Sequence, residues 1–189
     1  KVPHREERLS LKLWIPVTNR KKDLVIFMPG LGGDIDNFSW LGSGLSKKGW
    51  PVIFIEHKGS DSIALNSSIK GDEALPGSAD IYLYRLKDLD SVINSYNQNK
   101  LGFKSSNSYI LMGHSLGSLI FMLYEGNPPN NEFLSRCENA LTDFALTNLS
   151  KLLQCQLLEI PIPEFEKSKE LKAIIGFNSF GSLIWSNKK

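Results

Sequence analysis

Ser115 stands at the centre of Gly113-His114-Ser115-Leu116-Gly117, between the apolar run Tyr109-Ile110-Leu111-Met112 and a helical pattern beginning at Ser118. A serine hydroxyl becomes a useful nucleophile when it is held up on a sharp turn and a base takes its proton. A G-x-S-x-G string does the first of these when it joins a strand to a helix, because small residues two positions either side let the helix pass close to the strand. Gly113 and Gly117 fill those two places. The bare string recurs by chance, so its setting carries the weight. Here Asn107 to Met112 reads as a short buried strand, and Leu119, Ile120, Met122, Leu123 and Tyr124 give the apolar face of a following helix. The chemistry implied is acyl transfer through a serine ester.

Acyl transfer also needs hydrogen-bond donors for the oxygen that turns negative in the tetrahedral intermediate. Asp23-Leu24-Val25-Ile26-Phe27-Met28 reads as a strand running straight into Pro29-Gly30-Leu31-Gly32-Gly33, followed by the polar turn Asp34-Ile35-Asp36-Asn37. Glycines let a backbone turn its amides toward such an oxygen, and losing one donor typically costs about 3 kcal/mol of barrier. The candidate donors are the backbone amides of Leu31 and of Leu116. A phosphate-cradling reading of the loop fails, since no Gly-Lys-Ser or Gly-Lys-Thr follows and the glycine spacing is not that of a dinucleotide fingerprint. The chemistry calls for no organic cofactor and no metal.

The base is the part that does not show. His4, His57 and His114 all precede Ser115, whereas a hydrolase built on such an elbow places its histidine after the serine and after an acidic residue. His57 follows an early strand and precedes Lys58-Gly59-Ser60, which predicts a structural loop role. His114 lies inside the elbow and points away from the base position.

On these residues the chain resembles the α/β-hydrolase superfamily, and within it the dienelactone-hydrolase-like and platelet-activating-factor-acetylhydrolase-like esterases, particularly the predicted hydrolases of cyanobacteria. Trp50-Pro51-Val52-Ile53-Phe54-Ile55-Glu56-His57-Lys58-Gly59-Ser60-Asp61 is similar to the family's next strand and its His-Pro-Gly-Ser loop, with Lys58 where proline is usual. Arg85-Leu86-Lys87-Asp88 is similar to the Arg-x-x-Asp that opens the helix before the elbow strand. Leu152-Leu153-Gln154-Cys155-Gln156 and Lys172-Ala173-Ile174-Ile175-Gly176-Phe177-Asn178 resemble the insert helix and the strand after it. The resemblance implies a longer sheet whose last loops carry the acid and the base. These 189 residues then account for roughly strands two through six, and the catalytic acid and histidine are expected beyond Lys189. In the acetylhydrolase-like relatives the acid follows the strand that here ends at Asn178, a side chain that carries no charge. A start at Lys1-Val2-Pro3, without methionine, adds the expectation of further residues at that end.

The elements that must position Ser115 and Leu31 alternate along the chain. Leu9 to Ile15 alternates apolar and polar and reads as an outer strand, while Leu24 to Met28, Val52 to Ile55 and Tyr109 to Met112 are continuous apolar runs that read as buried parallel strands. Phe38, Leu41 and Leu45 mark a helix ending near Gly49, and Leu86, Leu89, Val92, Ile93 and Tyr96 mark another with Asp80 as its N-cap. Alternation of this kind predicts a mostly parallel sheet covered by helices on both faces, with ligands at the carboxyl ends of the strands, where Leu31 and Ser115 fall. One partial domain over 1–189 is expected, with a cap-like helical insertion within 126–170 as an option. There Asn127-Pro128-Pro129-Asn130-Asn131 breaks a helix, Leu141 to Leu158 reads as the next one, and Pro161-Ile162-Pro163 ends it. Its face of Leu146, Leu149, Leu153 and Leu157 is either a substrate wall or, as is commoner, a face packed on the sheet.

Hydrophobic residues make up 41% and charged residues 22%, with a net charge of +2, which is the ordinary globular class. Mixed charges without a basic stripe give no reason to expect a nucleic-acid partner. No 18-residue apolar stretch predicts a transmembrane segment, and no signal peptide is visible. Cys137 and Cys155 flank a helical pattern and read as buried thiols rather than a bridge. The reading that results is a serine esterase or lipase-like hydrolase acting on a small-molecule or lipid ester. Its rivals are a non-catalytic binding module of the same fold and an acyltransferase using the same serine. Acyl length, oligomeric state and localisation are not written in these residues.

Overall fold

Long apolar runs that cannot face water on either side must become interior strands, and three of the five strands do so. In the computed structural model, which describes residues 3–5, 8–17, 22–71, 80–103, 106–126, 129–142, 149–165, 168–179 and 181–185, these are β2 (Leu24–Met28), β3 (Val52–Glu56) and β4 (Tyr109–His114). With β1 (Ser10–Trp14) and β5 (Leu171–Phe177) they form one sheet in the order β1-β3-β2-β4-β5. β1 runs antiparallel to β3 at one edge, as an outer strand, and every other pairing is parallel.

Strand periodicity sorts the apolar side chains into two layers. Val25, Phe27, Val52, Phe54 and Met112 face one side, where Leu41 and Leu45 of α1 (Ser39–Lys47) pack with Trp14 and Phe38. Leu24, Ile26, Met28, Ile53, Ile55 and Leu111 face the other, against Tyr82, Leu86, Leu89, Val92 and Ile93 of α3 (Asp80–Asn97) and Leu119, Ile120 and Leu123 of α4 (Leu116–Tyr124). Each such side chain taken fully from water contributes about 1.5–3 kcal/mol. α1 stops where the sequence predicts: Gly49 takes φ 88°, its amide donates to Ser46 O, and the Trp50 amide donates to Leu45 O, the paired bonds of a Schellman end.

Three expectations change. A further helix, α2 (Ser62–Lys70), follows β3; it buries none of its residues and is held by its ends, with the Asp61 carboxylate accepting from the Ala64 amide and Gly71 at φ 80° closing it. Asp80, expected as the N-cap, is already helical as the first described residue of α3, and residues 72–79 lie outside the described ones. The third concerns the region read as one helix over Leu141 to Leu158 with two free thiols. Instead, α5 (Phe133–Thr142) and α6 (Leu149–Cys155) are distinct, and Cys137 and Cys155 are joined as a disulfide with their Cα atoms 5.6 Å apart. Eighteen residues of continuous helix would separate them by about 27 Å, so the two cysteines do not lie on one continuous helix. Leu146 and the side chain of Leu149 lie outside the described residues, whereas Leu153 and Leu157 are buried. A short α7 (Ser182–Trp185) follows β5. Among the described residues no helix is long and apolar enough to cross a membrane.

Candidate active site

β4 hands over to α4 at one residue, Ser115, whose backbone sits at φ 52°, ψ −117°. A non-glycine residue there costs about 1–3 kcal/mol and persists only when its surroundings over-determine it. They do so here. The Ser115 amide donates to Phe177 O at 2.9 Å, the Ser115 carbonyl accepts from the Ser118 amide at 3.0 Å, and the Ser118 hydroxyl donates to Gly113 O at 2.6 Å. The two flanking glycines are demanded by contact. A Cβ on Gly113 would lie 2.6 Å from the Gly117 carbonyl carbon, and one on Gly117 would lie 2.3 Å from Met28 O.

The glycine-rich loop after β2 passes directly over this turn. A Cβ on Gly30 would meet Ser115 Cβ at 3.1 Å and His114 Nδ1 at 3.2 Å. The loop is closed by the Gly33 amide on Gly30 O at 3.2 Å and tied to the loop after β3 by the Gly32 amide on Ser60 O at 2.9 Å. Among the described residues neither the Leu31 amide nor the Leu116 amide has a hydrogen-bond acceptor. The fold therefore brings Ser115, Leu31 and Leu116 to the carboxyl ends of neighbouring strands β2 and β4.

Among the described residues it brings no histidine into a hydrogen bond with Ser115. His57 is fully buried and donates from Nδ1 to Asp88 Oδ2 at 2.8 Å, and its Nε2 is a buried lone pair without a partner among the described residues. Burial, reinforced by the charge of Arg85 and opposed by the bond to Asp88, lowers its pKa to about 4. His4 spends Nε2 on the other oxygen of Asp88 at 2.7 Å. His114 packs its ring 5.8 Å from that of Phe38. Among the described residues none of the three bonds to Ser115.

Arg85, Asp88 and His57 stand out in the sequence only by resemblance, and the meeting of His57, His4 and Arg5 around Asp88 is not readable from it. Asp88 is fully buried and accepts from His4, from Arg5 Nε at 2.8 Å and Nη2 at 2.6 Å, and from His57. Burial pushes its carboxyl up, but the bonds from His57, Arg5 and His4 outweigh burial and hold it below the ordinary carboxylate range. Arg85, one turn earlier, is buried as well. A signal did exist: in α3 the positions Tyr82, Arg85, Leu86, Leu89, Val92 and Ile93 recur at helical spacing, so Arg85 falls on the core-facing stripe.

A cleft of about 770 Å³ lies beside this cluster, lined by His4, Arg5, Arg8, Lys58, Ile63 and Tyr84 among others, but not by Ser115 or Leu31. Among the described residues no group of three His, Cys, Asp or Glu side chains converges as a metal site.

No protein-family model matches the chain, and no curated protein sequence matches it. Solved structures do. A thermostable carboxyl esterase from Bacillus coagulans, in complex with glycerol, superposes with a TM-score of 0.50 at 14% identity, over 87% of this chain and 57% of that one. A ferulic acid esterase from Streptomyces cinnamoneus matches at TM-score 0.44 and 19% identity, over 52% of this chain and 31% of that one. A monoacylglycerol lipase from Paleococcus ferrophilus matches at 0.45 and 13%, over 90% and 89%. The chain thus spans between about a third and somewhat over half the length of the first two structures. With its β1-β3-β2-β4-β5 order, its parallel core strands and the strand–turn–helix at Ser115, the chain has the α/β-hydrolase fold.

Proposed function

We propose that this chain carries the nucleophile and the oxyanion hole of a serine hydrolase acting on carboxylic esters. The observation that carries the reading is Ser115 at φ 52°, ψ −117°, pressed against Gly30 and flanked by two unclaimed amides. Ser115 Oγ attacks the ester carbonyl carbon as its proton passes to a histidine. The Leu31 and Leu116 amides hold the resulting oxyanion, and collapse of the tetrahedral intermediate expels the alcohol, which takes up that proton. Water then attacks the acyl-enzyme by the same route and releases the acid. His57 is buried and committed to Asp88, so this reading calls for a base and an acid other than the His57–Asp88 pair. The substrate is a small-molecule or lipid ester, and the resemblance to dienelactone-hydrolase-like and platelet-activating-factor-acetylhydrolase-like esterases supports an esterase or lipase-like activity.

A second reading is a hydrolase-fold binding module without turnover, and the lack of any histidine bonded to Ser115 among the described residues favours it. A fluorophosphonate serine probe separates the two. Labelling of a form extended beyond Lys189, abolished by Ser115→Ala, supports the hydrolase. Folded protein that takes no label in either form points to the module.

A further inference from the structure

Arg85 Nη1 donates to Pro29 O at 2.7 Å and Nη2 to Gly30 O at 3.0 Å; Nη2 also reaches Ser60 O at 3.2 Å and Nε reaches Ser60 Oγ at 2.9 Å. Every one of these acceptors is a neutral oxygen. The guanidinium is 1% exposed, and Asp88, the carboxylate one turn along α3, is occupied by His57, His4 and Arg5. Burying a cation costs several kcal/mol, and a well-packed apolar residue of similar volume fills such a space as well or better. What a guanidinium adds is a rigid fork of donors with fixed directions.

Those directions fall on the peptide that matters. The described residues contain no cis peptide bond, and in a planar trans peptide the carbonyl and the following N–H point opposite ways. Anchoring Gly30 O on Nη2 therefore points the Leu31 N–H from the opposite edge of the same peptide plane, away from the guanidinium. The Gly30 Cα that begins this peptide faces Ser115 Cβ. The same carbonyl also accepts from the Gly33 amide, so the plane is held from two sides. A cationic donor on the carbonyl polarises the peptide and strengthens its N–H as a donor.

We propose that Arg85 is the positioning residue of the oxyanion hole: by clamping the Pro29 and Gly30 carbonyls from behind, it aims the Leu31 amide at the acyl oxygen of a substrate on Ser115. The inference rests on the reading of Ser115 as the nucleophile.

The test uses full-length protein with 15N-labelled leucine, as wild type, Arg85→Met and Arg85→Lys. In each the Leu31 and Leu116 amide resonances are followed before and after fluorophosphonate treatment, together with the labelling rate. In wild type both amides shift downfield when the phosphonyl oxygen occupies the hole. In Arg85→Met the expected result is a normal response at Leu116, a lost response at Leu31, and labelling slowed on the order of 100- to 1000-fold. Arg85→Lys, which keeps the cation but reaches one carbonyl, falls between and carries the comparison if the methionine variant does not fold. General loosening would disturb both amides alike, so loss at Leu116 as well overturns the clamp. So does a Leu31 response and labelling rate equal to wild type. If wild type takes no label, the nucleophile reading fails separately, and the clamp is judged on the unlabelled proteins: Leu31 shift and amide exchange unchanged by Arg85→Met overturn it, and a selective change at Leu31 upholds it.

Discussion

The amide of Ser115 donates to the carbonyl of Phe177 at 2.9 Å, so the turn that carries the nucleophile is bonded to the last residue of β5. This bond closes the parallel ladder of β4 and β5 at its last pair, His114 and Phe177. The residue after Phe177, Asn178, is itself at φ 49°. Among the described residues β5 is the edge strand opposite β1, and its outward residues are open, with Ile175 37% and Phe177 44% exposed. The elbow thus leans on a sheet edge on one side and on the Gly30 loop on the other. Ser115 is the point where local strain and long-range support meet.

Removing the side chain that suffers from this strain is expected to stabilise the fold. Glycine adopts φ 52° without penalty, whereas alanine does not. Ser115→Gly is expected to unfold at higher urea than Ser115→Ala, by about 1 kcal/mol once the greater flexibility of glycine in the unfolded chain is set against the relieved strain. Both variants lose fluorophosphonate labelling. Equal unfolding midpoints for the two would show that the turn costs nothing at this residue.

Acid should weaken the protein through His57. Its folded pKa is lowered to about 4 by burial from an ordinary 6.5, so at pH values between these the unfolded chain binds the proton that the folded chain refuses. The stabilisation is complete above pH 6.5 and is lost as pH falls toward 4, amounting to about 1–3 kcal/mol. Asp88, also held below its ordinary range, acts in the same direction at still lower pH. His57→Asn retains a donor near Asp88 without the titration. Urea midpoints between pH 7.5 and 4.5 should fall less steeply for that variant, and parallel slopes would assign the acid sensitivity elsewhere.

What could be read in the sequence was what local chemistry fixes. β2, β3 and β4 are continuous apolar runs, and Gly113 and Gly117 are required by contacts at 2.6 and 2.3 Å that follow from the elbow itself. α2 was illegible because it has no buried face to print a period on the sequence. The cluster at Asp88 joins partners 84, 83 and 31 positions away, and no local pattern encodes such a meeting. Arg85 lay between these cases: its place on the stripe of α3 was readable, but its acceptors are backbone carbonyls, which leave no residue type to recognise.

The disulfide was illegible for a related reason, since two cysteines in a chain of this size carry no spacing rule, and it yields a test of the α5–α6 layer. Cys137 and Cys155 are 18 positions apart, and closing a loop of that size stabilises a fold by about 3 kcal/mol in the chain-entropy account. The sulfurs are shielded, with the residues 1% and 9% exposed, so reductant should act slowly on folded protein and faster once mild denaturant opens the layer. α5 is also tied to α7 through Arg136, whose Nε donates to Leu183 O at 2.6 Å, and α7 follows β5, the strand that supports Ser115. Reduced protein, or a Cys137→Ser, Cys155→Ser double variant, is therefore expected to unfold at lower urea by roughly 2–4 kcal/mol and to exchange the amides of α5 and α7 faster. An unchanged midpoint after reduction has been verified by thiol titration would mean that packing alone holds these helices together.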